Sequence, residues 1–139
     1  MISVDTGYFL ALLNEDDAHH ESAQRWMSSA SEGWITTWPV VTEAAYMIGR
    51  RLGETVRQDF VADLVNGSIL IWDIPHEPAR KIPAMMKKYA KLPMDLADAS
   101  LVLLAEHLGH GRILTTDQRD FGAYRWKSTK PFVNLMQQA

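Results

Sequence analysis

The sequence predicts an α/β fold in which helices flank a mainly parallel central sheet of roughly four to five strands. Two observations carry this expectation. Short apolar runs alternate with longer stretches of helical period, and two of those runs pass straight into an aspartate, Ile2-Ser3-Val4-Asp5 and Ile113-Leu114-Thr115-Thr116-Asp117. In open α/β sheets the carboxyl ends of the strands border the crevice where ligands bind, so acids placed there point to one anionic pocket.

Taken in order, residues 1–5 form the first strand, and Tyr8 to Leu13 the first helix. A second helix runs from Ala18 to Ala30 and stops before Ser31-Glu32-Gly33, after which Trp34 to Thr37 is the second strand. Pro39 fits the first turn of the next helix, where a missing N–H leaves no bond unmade. That helix carries Val40, Val41, Ala44, Ala45, Met47 and Ile48 and ends near Gly53. Glu54 to Val65 is amphipathic, with Val56, Phe60, Val61, Leu64 and Val65 expected on its inner side and Gly67 just past its end. Ile69 to Trp72 reads as the third strand. A helix from Glu77 to Ala90 follows, with Pro83 as a kink or a restart. Pro93 precedes the most apolar helix, Leu96 to Leu108, which Gly109 closes. Arg112 to Thr116 is the fourth strand, and Phe132-Val133 a short edge strand after Pro131. The stretch from Gln118 to Lys130 reads as an irregular loop beside Asp117.

With 139 residues, 47% of them hydrophobic, the chain is expected to form a single domain, 1–139, around a sizeable core. Cysteine is absent, which excludes disulfide scaffolds and thiolate metal sites. Oxygen ligands remain, besides five histidines. The chain opens without a basic leader and has no run long enough to span a bilayer, which leads to a cytoplasmic expectation. A formal net charge of −3 argues against coating nucleic acid by bulk electrostatics. It leaves room for a nuclease, because cations such as Arg50, Arg51, Lys88, Arg125 and Lys127 can form a local basic rim around an acidic centre. The tripeptide Arg125-Trp126-Lys127 also joins charge to a ring that can hold a single-stranded base.

Each acid has an ordinary reading beside a functional one. Asp5 fits a helix N-cap. Asp95 fits a cap as well, with Asp98 three positions later favouring the positive end of the helix dipole, and Asp117 can cap the turn after its strand. Glu43 is harder to explain away, since its helical neighbours are apolar and no lysine or arginine lies within one turn. Asp98 shares its face with Leu101, Val102 and Ala105. Thr115 and Thr116 offer hydroxyls that can orient a carboxylate or a water. Convergence of these acids is what capping does not explain: close carboxylates repel, and in a dry site they must share protons or hold a cation. Magnesium, or manganese, takes one or two carboxylates and keeps waters, which leaves room for a phosphate. The chemistry implied is phosphodiester hydrolysis. His19 and His20 are adjacent on a helix and face different ways, so they are read as surface or packing residues.

Taken together, Val4-Asp5-Thr6, the Asp17 to Ala23 stretch, Glu43 after Pro39, Pro93-Met94-Asp95-Leu96-Ala97-Asp98-Ala99 and Leu114-Thr115-Thr116-Asp117 with Asp120-Phe121 resemble a PIN domain. In particular the chain is similar to the VapC-like toxin ribonucleases of toxin–antitoxin modules. The resemblance implies that Asp5, Glu43, Asp98 and Asp117 form the acidic pocket and hold magnesium, with Asp5 and Asp98 foremost. Thr6, Asp95 and Thr116 become auxiliary groups. It further implies an RNA substrate, a homodimer, and a small cognate antitoxin whose tail brings a basic side chain toward the acids. Two rival readings remain at this stage. A phospho-receiver also gathers aspartates at strand ends, and Asp73 follows the third strand; a phosphatase would use Asp5 as nucleophile, although its second acid would fall at Gly7.

Overall fold

Residues 1–29 and 31–138 are described by a computed structural model. Their elements are β1 (Ile2–Val4), α1 (Thr6–Leu13), α2 (His20–Ser29), β2 (Trp34–Thr37), α3 (Trp38–Leu52), α4 (Glu54–Asp63), β3 (Leu70–Trp72), α5 (His76–Ala79), α6 (Ile82–Lys88), α7 (Leu96–Leu108), β4 (Arg112–Leu114), α8 (Gln118–Ala123), β5 (Arg125–Trp126), β6 (Lys130–Pro131) and β7 (Val133–Asn134). The sheet is five-stranded in the order β3-β2-β1-β4-β7, with every pairing parallel. The expected α/β architecture is therefore borne out.

The strand order carries the functional geometry. From β1 the chain steps outward to β2 and β3, then returns to place β4 on the other side of β1. The direction of winding reverses between β1 and β4, and the two loops leaving those strands diverge to open a crevice. Asp5 and Asp117 are carried by those two loops, and the Asp5 amide donates to the Leu114 carbonyl at 3.0 Å.

Helix α7 is buried along almost its whole length, from Ala97 through Ala105, which explains a sequence apolar on nearly every face. It packs against β1, β2 and α3. A buried hydroxyl pair, Thr37 Oγ1 and Ser100 Oγ at 2.6 Å, fastens the start of α3 to it. Thr37 is also the N-cap of α3, and Pro39 occupies its first turn as expected.

Several boundaries differ from the sequence expectation. The second helix starts at His20, because Asp17 and Asn14 hold the preceding residues in turns, and its expected end at Ala30 lies outside the described residues. The helix expected over Glu77 to Ala90 is two, α5 and α6, and Pro83 sits in the first turn of the second. The edge strand lies one residue later, at Val133–Asn134. The stretch from Gln118 to Lys130 is not irregular: it forms α8, capped by Asp117, and the antiparallel hairpin β5–β6.

Candidate active site

Four elements deliver the acids expected from the sequence to one pocket of about 340 Å³. The loop after β1 brings Asp5, Thr6 and Gly7; α3 brings Glu43; the start of α7 brings Asp95 and Asp98; the loop after β4 brings Thr116 and Asp117. The four expected pocket acids, Asp5, Glu43, Asp98 and Asp117, and the auxiliary groups Thr6, Asp95 and Thr116 thus line the same depression. Asp5 is almost fully buried, at 6% exposure, and both its oxygens are held: Oδ1 accepts from the Thr6 amide and Oδ2 from Thr115 Oγ1, each at 2.7 Å. Asp95 and Asp98 form a reciprocal cap on α7, with the Asp98 amide donating to Asp95 Oδ1 at 2.8 Å. From below, the hydroxyl of the buried Tyr124 donates to Asp98 Oδ2 at 3.0 Å. Asp117 Oδ1 accepts from the Asp120 amide at 2.9 Å. Gly7 is required for the close approach of α1 to β4, since a Cβ there would stand 2.1 Å from Thr116 Oγ1.

Crowding and burial raise the proton affinity of these acids. Burial, opposed by the Thr115 and Thr6 hydrogen bonds, pushes Asp5 up to about 6. Glu43 is pushed up to about 7, by burial first and then by Asp95 and Asp5. Asp98 reaches about 8, through burial and then the charges of Asp95 and Asp5. Thr6 Oγ1 is buried with no partner at hydrogen-bond distance, although its proximity favours the charged form of Glu43.

A PIN-domain family profile matches residues 2–127. The chain belongs to the PIN domain family. Among relatives of this PIN domain, ribonuclease VapC26 of Mycobacterium tuberculosis is 26% identical over 125 residues, which span 88% of this chain and 90% of that protein. The crystal structure of Mycobacterium tuberculosis VapC20, a sarcin-ricin loop cleaving toxin, matches with a TM-score of 0.78 at 19% identity. That match covers 86% of this chain and 92% of the other, and it speaks for the fold. PIN-domain ribonucleases of the VapC type generally depend on a divalent metal ion.

The donor set of this PIN domain fits such an ion. It consists of carboxylate and hydroxyl oxygens with no histidine or thiol, and the buried Thr6 hydroxyl, which neighbours Glu43, adds a further oxygen. Among the described residues, no three acidic or histidine side chains stand placed to hold a metal ion between them. Magnesium has no need of such a trio, because it keeps most of its waters and takes only one or two carboxylates.

Three further charged groups line the pocket: Arg51, one of the rim cations expected from the sequence, and Asp17 and Asp120, to which the sequence reading assigned no role. Arg51 lies eight positions after Glu43 on the face that also carries Met47, so the helical period brings this rim cation to the acids. Asp120 stands three positions after the Asp117 cap, where an acid reads first as capping chemistry; burial and Asp117 raise its proton affinity. His20 and Asp73 are elsewhere. The ring nitrogen Nδ1 of His20 contacts the Ala11 carbonyl at 2.7 Å, in keeping with a packing role, and Asp73 accepts from Trp38 Nε1 at 2.8 Å on an exposed patch. With Asp73 so occupied, the receiver reading lacks a second acid from the third strand.

Proposed function

We propose that this PIN-domain chain is a magnesium-dependent endoribonuclease, the toxin of a toxin–antitoxin pair, and that residues 1–139 act as one nuclease domain. The observation that carries the reading is the meeting of Asp5, Glu43, Asp98 and Asp117 at the reversal point between β1 and β4, around the buried Thr6 hydroxyl. The family and the ribonuclease relative support it. By analogy with the sarcin-ricin loop cleaving neighbour, a structured ribosomal RNA loop is the substrate class to try first.

Asp5 and Asp98 are the groups assigned to hold the cation, and Glu43 and Asp117 complete the acidic wall. When bound, the cation neutralises the carboxylates, polarises the phosphoryl oxygens and acidifies water. Thr115 and Tyr124 keep Asp5 and Asp98 in fixed rotamers, so the pair is preorganised. Glu43 or Asp117 orients the attacking water and takes its proton as the new P–O bond forms, and the leaving oxygen departs with a proton from solvent water. Arg51, on the rim, is placed to attract the phosphodiester that would otherwise be repelled.

The partners follow the same reading: a homodimer, and a small antitoxin with a basic side chain directed at the pocket, which the seven acids and single arginine lining it favour electrostatically. The experiment is to incubate pure protein with ribosomal RNA in magnesium, in chelator, and as Asp5→Asn and Asp98→Asn. Cleavage that needs the metal and is lost in both variants is the expected result. Acetyl-phosphate labelling of an aspartate without RNA cleavage would replace the nuclease with a receiver.

A further inference from the structure

A second groove, of about 610 Å³, runs between α6, α7 and the β5–β6 hairpin, and its charge is opposite to that of the acid pocket. Lys81, Lys88, Arg125 and Lys127 line it against one acid, Glu106. In a chain with a net charge of −3, this segregation of cations needs a cause.

Glu106 does not cancel the groove. Its side chain is only 18% exposed; Oε1 accepts from Lys81 Nζ at 3.2 Å, and Oε2 accepts from the Lys127 amide at 2.9 Å. The acid therefore fixes the hairpin and occupies Lys81. Among the described residues, Lys88 and Lys127 have no carboxylate at ion-pair distance. The turn that presents Lys127 is itself unusual. Lys127 and Ser128 have φ of 46° and 66°, in the left-handed region that tight hairpins normally give to asparagine and glycine. Holding side chains there costs about 1–3 kcal/mol per residue, a strain that gathers at ligand clamps.

The groove's wall touches, through the interior, the residue that holds one of the acids. Tyr89, half-buried in its wall, meets Tyr124 edge to face with ring centroids 4.9 Å apart, and Tyr124 is the residue whose hydroxyl holds Asp98. Trp126, the ring expected from the sequence to hold a base, cannot do so. It is buried, and its Nε1 donates to the Pro131 carbonyl at 3.1 Å. Tyr89 is the ring that faces the groove instead, with Lys88 Nζ 5.3 Å from its centroid.

We propose that this groove is a binding track for the backbone of single-stranded RNA, which Lys88 and Lys127 hold through its phosphates beside Tyr89 as the strand passes toward the acid pocket. The inference rests on the nuclease reading for its direction, and it has its own readout. Lys88 Nζ donates only a long bond, 3.4 Å, to the Ser128 carbonyl, and an aromatic wall with ammonium groups unpaired by carboxylates is the combination that binds a single strand without base readout.

The test is binding of a fluorescent uridine homopolymer to the full chain in chelator, where no cleavage occurs, across a salt series. Lys88→Gln with Lys127→Gln should weaken binding roughly tenfold at low salt and lower the salt slope by about 0.7 per lost phosphate contact. Arg25→Gln with Arg80→Gln, which removes equal charge from exposed positions outside both the groove and the acid pocket, should change neither. Lys127→Asn with Ser128→Gly relaxes the turn, so it should hold or raise the melting temperature while weakening RNA binding. Three results would overturn the proposal: no binding by the wild type, equal losses in the control pair, or polyglutamate competing as well as RNA, which would make the groove a seat for an acidic polypeptide. Magnesium-dependent cleavage with groove variants that bind like wild type would also overturn it while leaving the nuclease standing. Groove-dependent binding without cleavage in any divalent metal would support the track and remove the nuclease.

Discussion

Tyr124 and Asp98 are 26 positions apart, and the tyrosine hydroxyl donates to Asp98 Oδ2 at 3.0 Å from beneath the acid pocket. The ring is buried and wedged between Tyr89 and Phe121, so the hydroxyl has one orientation to offer. Removing it frees the carboxylate to rotate. Tyr124→Phe keeps the packing and should lower magnesium affinity and cleavage by about tenfold to a hundredfold. Isothermal titration with magnesium checks this, and a melting temperature close to wild type separates the effect from unfolding.

Gly7 faces the Thr116 hydroxyl so closely that a Cβ added there would stand 2.1 Å from it. Gly7→Ala would force the Thr116 hydroxyl out of its rotamer, at a cost of about 1 kcal/mol or roughly 3–5 °C in melting temperature. Adding Thr116→Ala should recover most of that loss, whereas Thr116→Ser should not. A double-mutant cycle by thermal melting measures the coupling.

Glu43 should set the acid side of the rate profile. Burial and the neighbouring aspartates hold its proton up to about 7, so without a cation the base form appears only as pH rises through that value. A bound divalent cation favours the carboxylate and moves the rise to lower pH. Glu43→Gln should cut the rate by about 10²–10⁴ and flatten this limb. Single-turnover cleavage across pH, at saturating magnesium, reads both.

Much of the centre was legible because strand-terminal aspartates and acids on apolar helix faces are local patterns. Asp5, Glu43, Asp98 and Asp117 each break the period around them, and the sheet order then brings them together. What escaped was set by contacts distant in sequence. Helix α8 is only six residues long and has few apolar positions, so its cap, Asp117, reads as part of a loop. The β5–β6 hairpin turns on Lys127-Ser128, which carries no glycine or asparagine signal, and Glu106 from α7 is what secures it. Trp126 looks like a surface ring in its tripeptide, yet Gly111 clears the space that buries it: a Cβ there would stand 2.6 Å from Trp126 Nε1.

The central claim, that these carboxylates share a pocket only with protons or a cation, is tested most directly by melting the protein at pH 5 and pH 8, in chelator and in magnesium. Asp5, Glu43 and Asp98 bind protons more tightly folded than unfolded, with folded values near 6, 7 and 8, so their contribution is present at low pH and lost as pH rises through that range. In chelator the melting temperature should therefore fall between pH 5 and pH 8. Magnesium should restore it at pH 8, do little at pH 5, and lose most of its effect in Asp98→Asn. A melting temperature that ignores both pH and magnesium would contradict the account.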